Sequence, residues 1–270
     1  MAGNAITNQF NIGTATVMVG PMEDVLNLTP EQHSIGLVKA VSLTSETNEV
    51  SLTQGIRNKT VDSQVTGVTS TVTAEVYEYT AANLAYATQL DGANYTTGSV
   101  YKLAADVTGG ESATTLTLEA DTDVSSQFAE GTTIELQATG SKKYDKVYLV
   151  KVESASYTEG SLSLTLKNPI PAGWSFSQGD SVYTVSVIPV GSEEPQPYLG
   201  VKIVGILPNG NEPVTIILPK AKITSGISLA FNTDNYGNIP FEFTPYDLTA
   251  DDAMYEEFKD YSANVIVYKR

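Results

Sequence analysis

Apolar and polar residues alternate with a period of two along much of this chain. In "TVTAEVYEY", Val72, Ala74 and Val76 share one face and Thr71, Thr73 and Glu75 the other. Leu162, Leu164 and Leu166 alternate in the same way with Ser161, Ser163, Thr165 and Lys167 in "SLSLTLK". "TTIELQA" contributes Ile134, Leu136 and Ala138, and "GISLAF" contributes Ile227, Leu229 and Phe231. A period of two predicts half-buried antiparallel strands. Three other runs, "KVYLVKV", "VKIVGIL" and "VTIIL", are apolar on both faces. They predict strands covered on both sides.

Helical spacing occurs twice. After Thr80, a candidate N-cap, Ala81, Leu84, Ala85 and Thr88 recur at helical intervals until Asp91-Gly92 stops them, which predicts a helix over about 80–90. Near the C-terminus, Asp251 and Asp252 follow Thr249 and suit the positive end of a helix dipole. Met254, Tyr255, Phe258 and Tyr261 then form an apolar face, which predicts a second, short helix before a final strand in "ANVIVYK". Many short strands and few helices predict a mainly β fold.

Texture divides the chain. Residues 93–190 alternate short strands with turns rich in Thr, Ser and Gly, and "PVGSEEPQPYLG" follows as a linker. This predicts an inserted small β-domain at 93–190 within a discontinuous core domain formed by 1–92 and 191–270. The polar stretch 42–67 is either a mobile surface loop or an extended hairpin ordered only against a neighbour.

Composition narrows the chemistry. The formal net charge is −16, from 15 Lys+Arg against 31 Asp+Glu. Residues 91–190 hold 6 Lys against 12 acidic residues, which leaves −10 for the flanks. Both parts therefore repel polyanions and neither reads as a nucleic-acid-binding module. No cysteine is present, which excludes disulfides, thiol nucleophiles and Cys-ligated metals. The start of the chain has no signal-peptide pattern, and no apolar run reaches the roughly 20 residues of a membrane span.

No phosphate loop or dinucleotide fingerprint is present. The single histidine, His33, lacks a nucleophile motif and reads as a surface or interface residue. The neighbouring carboxylates are Glu75 with Glu78, Asp251 with Asp252, and Glu256 with Glu257. They read as a strand face, a helix start and a helix surface rather than a catalytic pair. Asp121 and Asp123, like Asn232, Asp234 and Gly237, are spaced as turn residues and lack a full calcium-loop pattern. The expectation is a non-enzyme with no cofactor and no bound metal. The 15 tyrosines suit protein interfaces.

Taken together, "IGTATVMVGPMEDVLNLTPEQHSIGLVKAVSL", "VSLTQGIRNKTVDS" and "VTAEVYEYTAANLAYATQLDG" resemble the N-terminal half of the major tail-tube proteins of tailed bacteriophages. "ILPKAKITSGISLAFNTDNYGNIPFEFTPYD" resembles their C-terminal half. The likeness spans about 11–92 and 200–270 and omits the middle, which is similar to the accessory domain of some tail proteins. It implies a β-sandwich or barrel subunit with a flanking short helix. Such subunits form homo-hexameric rings that stack into a tube, with tape-measure protein and genomic DNA transiently in the lumen and terminator and tail-tip proteins at the ends. It implies assembly in the host bacterial cytoplasm, residence in the virion tail and no membrane partner. Residues 42–67 match the family's stacking loop, with Glu46, Asn48, Glu49, Gln54, Arg57, Asn58 and Lys59 as its contact candidates. That loop is expected to stay flexible in the free subunit. Thr71, Thr73 and Glu75 face either the lumen or bulk solvent. An insert projecting outward would obstruct a sheath and favours a non-contractile tail. The alternative is a β-sandwich surface or carbohydrate-binding protein, such as an adhesin or a capsid decoration module.

Overall fold

The computed structural model describes residues 14–138, 147–206, 213–230 and 234–269. The fold is mainly β. In chain order the strands are β1 (Thr14–Pro21), β2 (Val38–Gln54), β3 (Lys59–Val76), β4 (Val100–Leu103), β5 (Val107–Thr108), β6 (Thr115–Glu119), β7 (Thr133–Gln137) and β8 (Val147–Thr158). They continue as β9 (Ser161–Leu166), β10 (Ser175–Phe176), β11 (Ser181–Thr184), β12 (Leu199–Ile206), β13 (Pro213–Ile223), β14 (Ile239–Pro245) and β15 (Ile266–Lys269). The α-helices are α1 (Pro30–His33), α2 (Ala81–Ala87) and α3 (Tyr255–Phe258). Two compact units result. One is Met1–Tyr95 with Pro189–Arg270, and the other is Thr96–Ile188.

The first unit is an antiparallel sheet in the order β1-β12-β13-β14-β3-β2, with β15 added to β13. Its main core collects alternate residues: Val17 and Val19, Val72, Ala74 and Val76, Val201 and Ile203, and Ile239, Phe241 and Phe243. On the opposite face of β1 and β13, Met18 and Ile217 meet Val25, Leu28, Phe258 and Ile266. "VKIVGIL" and "VTIIL" are apolar on both faces because the sheet is covered on both sides there: Val201, Ile203 and Leu218 join the main core, Val204 and Ile217 the opposite cluster, and Leu207 lies outside the described residues. Helix α2 caps the main core with Tyr86 and Ala87. Thr80 starts it, its hydroxyl accepting the Asn83 N–H at 3.1 Å. Buried Asn83 donates to the carbonyls of Ile35 (2.9 Å) and Glu78 (2.8 Å), tying the helix to the chain that leads into β2.

The second unit is a closed antiparallel barrel in the order β11-β4-β6-β9-β8-β7, with β5 and β10 forming a separate pair. Leu116 and Leu118, Ile134 and Leu136, Val150 and Val152, and Leu162, Leu164 and Leu166 fill its interior. Closure leaves a small sheet without open edges. It also corrects the expectation for "KVYLVKV". A barrel has one interior, so Val150 and Val152 are buried while Leu149 remains 56% exposed.

Two further expectations change. "GISLAF" forms no strand over 227–230; Ile227 packs on the core, Leu229 is exposed and Phe231 lies outside the described residues. The β13–β14 ladder ends at Ile223 opposite Phe243; the Thr224 N–H still donates to the Glu242 carbonyl (2.8 Å), but the Ser225 hydroxyl accepts the Glu242 N–H (3.0 Å) that would return the bond. Nor does Thr249 open a helix onto Asp251 and Asp252. The Asp252 carboxylate accepts the Thr249 N–H (2.6 Å) and hydroxyl (3.0 Å) to close a turn, and it pairs with Lys220 at 2.7 Å. Burial alone would push the Asp252 pKa up, but the Lys220 ammonium and the Thr249 donors outweigh it and hold the carboxyl below its ordinary value. The helix begins later, at Tyr255.

Candidate functional site

Strands β2 and β3 pair in one ladder from Val38 opposite Val76 to Gln54 opposite Lys59. The polar stretch 42–67 is therefore an extended hairpin, the second of the two forms expected from its sequence. The turn Gly55–Asn58 closes on an Asn58 N–H to Gly55 carbonyl bond of 3.0 Å. Gly55 (φ 79°) and Asn58 (φ 45°) take left-handed conformations, for which glycine and asparagine carry the smallest penalty. Register shifts next to Asn48 and Leu52 mark bulges that accommodate extra β3 residues.

Only the root of this hairpin belongs to the core. Val72 is fully buried and Ser70 is 6% exposed, whereas both strands are exposed from Glu46 to Gln54 and, apart from half-buried Gly67, from Lys59 to Thr69. At about 3.3 Å per residue, the run from Glu46 to Gln54 carries the turn roughly 30 Å from the last buried pair. The arm is not uniformly polar. Val50, Leu52, Val61, Val65 and Val68 are each more than half exposed, and Ile56 at the tip is fully exposed. Cross-strand register puts Val50 and Leu52 on one face and Val65 and Val68 on the other. Short polar bonds brace the shaft: Ser63 donates to Glu49 (2.9 Å), and the Ser45 and Ser70 hydroxyls pair at 3.2 Å.

All seven residues expected in the stacking element lie on this arm and are exposed. Glu46, Asn48, Gln54 and Lys59 share the face of Val50, Glu49 points to the opposite face, and Arg57 and Asn58 form the turn. Sequence reasoning missed the apolar members. Val50 and Leu52 do alternate with polar residues, but the surrounding Thr and Ser obscure the signal.

Thr71, Thr73 and Glu75 occupy the β3 face opposite the core. Ser42, Thr44 and Lys39 on β2 and Pro240 and Glu242 on β14 are their lateral neighbours. This surface is rich in hydroxyls, and each of its lysines sits against a tyrosine. Lys39 lies 4.8 Å from the centre of the Tyr77 ring and Lys222 lies 4.4 Å from that of Tyr198. Tyr77 also donates to Glu75 at 2.9 Å, and that bond, followed by desolvation and the Glu75 charge, raises its pKa.

Four other candidates, His33, Glu78, Glu256 and Asp123, hold the fold through bonds of their own. The His33 Nδ1 accepts the Thr29 N–H at 3.2 Å across the single turn of α1. Glu78 accepts the Leu37 N–H at 2.8 Å, and Glu256 pairs with Lys259. Asp123 accepts the Ser125 N–H at 2.9 Å at the start of a 3-10 turn; the Ser125 hydroxyl and N–H hold its pKa below the ordinary value. Asn232 lies outside the described residues. Among the described residues, no three His, Asp or Glu side chains converge as metal ligands, and no helix is long and apolar enough to cross a membrane. No protein-family model matches this chain, and no curated protein matches it.

Proposed function

We propose that this chain is the structural subunit of a phage tail tube, assembling into stacked hexameric rings that form a channel for DNA, with no catalytic role. The observation that carries the reading is the arm. A two-stranded ribbon is marginally stable alone, and this one extends roughly 30 Å with apolar side chains exposed on both faces among the described residues. A neighbouring copy is the natural cover for such an element. The open edge of β2, unpaired among the described residues, gives a second route to subunit contact by strand pairing.

The hydroxyl-rich face around Thr71, Thr73 and Glu75 suits a channel wall. A net charge of −16 opposes adsorption of DNA to the tube. The barrel, closed on itself, serves as an accessory module on a non-contractile tail.

Electron microscopy of the purified protein tests the reading. Six-fold rings or tubes with an open channel are expected. Monodisperse monomers at high concentration would overturn it, and glycan binding by such monomers would favour the surface-module alternative.

A further inference from the structure

The root of the arm borders a groove. Among the described residues, strand β14 covers the edge of β3 only from Val72 to Val76, and β15 pairs only with β13. Between the uncovered β3 edge and β15 lies a groove of about 520 Å³, lined among others by Leu43, Ser45, Val68, Asp247, Asn264 and Val267. Val68 and Val267 are each about half exposed in it. Its volume falls in the range of roughly 300–1,000 Å³ typical of clefts that bury a bound group. Asp247 is the single charged residue of the lining, and among the described residues it forms no ion pair.

The tip of the arm is complementary to this groove. Ile56 is a fully exposed apolar knob, and Arg57 and Lys59, which follow it through the turn, have no ion-pair partner among the described residues. An apolar knob followed by two cations suits a groove in which Leu43, Val68, Val265 and Val267 form the apolar part of a mixed lining and Asp247 is the one anion. The arm cannot fold back into its own groove, because its continuous ladder holds the tip roughly 30 Å from the root.

We propose that the groove at the root of one copy's arm receives the Ile56–Lys59 tip of another copy's arm. The proposal rests on the tail-tube reading and names the surface that the arm meets. Tip and groove are different patches of one chain, so the contact is head-to-tail and does not close on itself. It repeats along the arm as a linear stack, as ring-on-ring growth requires.

The absence of native cysteine makes the test direct. Single-cysteine variants Ile56→Cys, Val267→Cys and, as a control on the hydroxyl-rich face, Thr73→Cys are prepared as full chains. Pairs are mixed, assembled and treated with oxidant or a short bis-maleimide. A covalent dimer is expected from I56C with V267C, and neither from I56C alone nor from I56C with T73C. As a second measurement, R57E/K59E is expected to lower tube yield at least tenfold, and Asp247→Lys in the same chain is expected to restore it. Tubes that form without a Val267-specific link, or a charge reversal that D247K does not rescue, overturn the docking site and leave the tube reading standing. A wild-type protein that forms neither rings nor tubes overturns both.

Discussion

Replacing Ile56 by alanine separates the arm's role in assembly from any role in folding. The side chain is fully exposed at the tip and contributes nothing to the subunit's core. Truncation removes three carbons. At about 0.8 kcal/mol per buried methylene, a tip that is buried in the tube loses about 2.4 kcal/mol per contact. With a factor of ten for every 1.4 kcal/mol, the concentration needed for tube growth rises roughly 50-fold. The free subunit's stability should change by no more than about 0.5 kcal/mol, as for other exposed positions. Pelleting across a concentration series gives the first quantity, and thermal melting of unassembled protein gives the second. A variant that assembles at the wild-type concentration would refute the claim that the tip is buried between copies. A variant that melts well below wild type would refute the claim that the tip is idle in the monomer.

Other positions give independent checks. Deleting residues 48–62 should leave a folded monomer, judged by circular dichroism and melting, that forms no tubes; normal tubes from this variant would dismiss the arm as the stacking element. Asp252→Asn strands the Lys220 ammonium, 7% exposed, and should cost about 3–5 kcal/mol in denaturant titration. Because the folded-state carboxyl is depressed, the pair's contribution is complete above the unfolded value of about 3.9 and is lost as pH falls through the lower folded value. Wild type should therefore lose stability more steeply than D252N in that acid range. Asn83→Ala leaves the Ile35 and Glu78 carbonyls without their side-chain donor and should cost about 2–3 kcal/mol, with Asn83→Asp no better.

Several features were legible from local pattern alone, because strand periodicity and helix capping are short-range physics. The alternations at Val72–Val76 and Leu162–Leu166 and the Thr80 cap all act within a few residues, and each sits in the structure as its spacing implies. The double-faced runs of β12 and β13 were readable for the same reason. "KVYLVKV" carries the same pattern but has one face in water, because its cover depends on whether a sheet closes into a barrel, which no local window encodes. "GISLAF" has strand periodicity but no strand, since the Ser225 hydroxyl ends the ladder first. Asp252 has the position of a helix-start residue, yet its carboxylate serves a lysine buried 32 residues earlier in the chain.

The arm divides along the same line. Its sequence by itself determined that 42–67 is polar and is either a surface loop or an extended hairpin. Only the tertiary structure decided that these residues form one continuous ladder anchored at Ser70 and Val72, that Val50, Leu52, Ile56 and Val65 stand uncovered along it, and that a groove carrying Asp247 opens at its root. The physical reason is that periodicity fixes which side chains share a face, whereas the cover of that face is set by residues distant in sequence, and here the arm extends beyond the reach of its own chain's core.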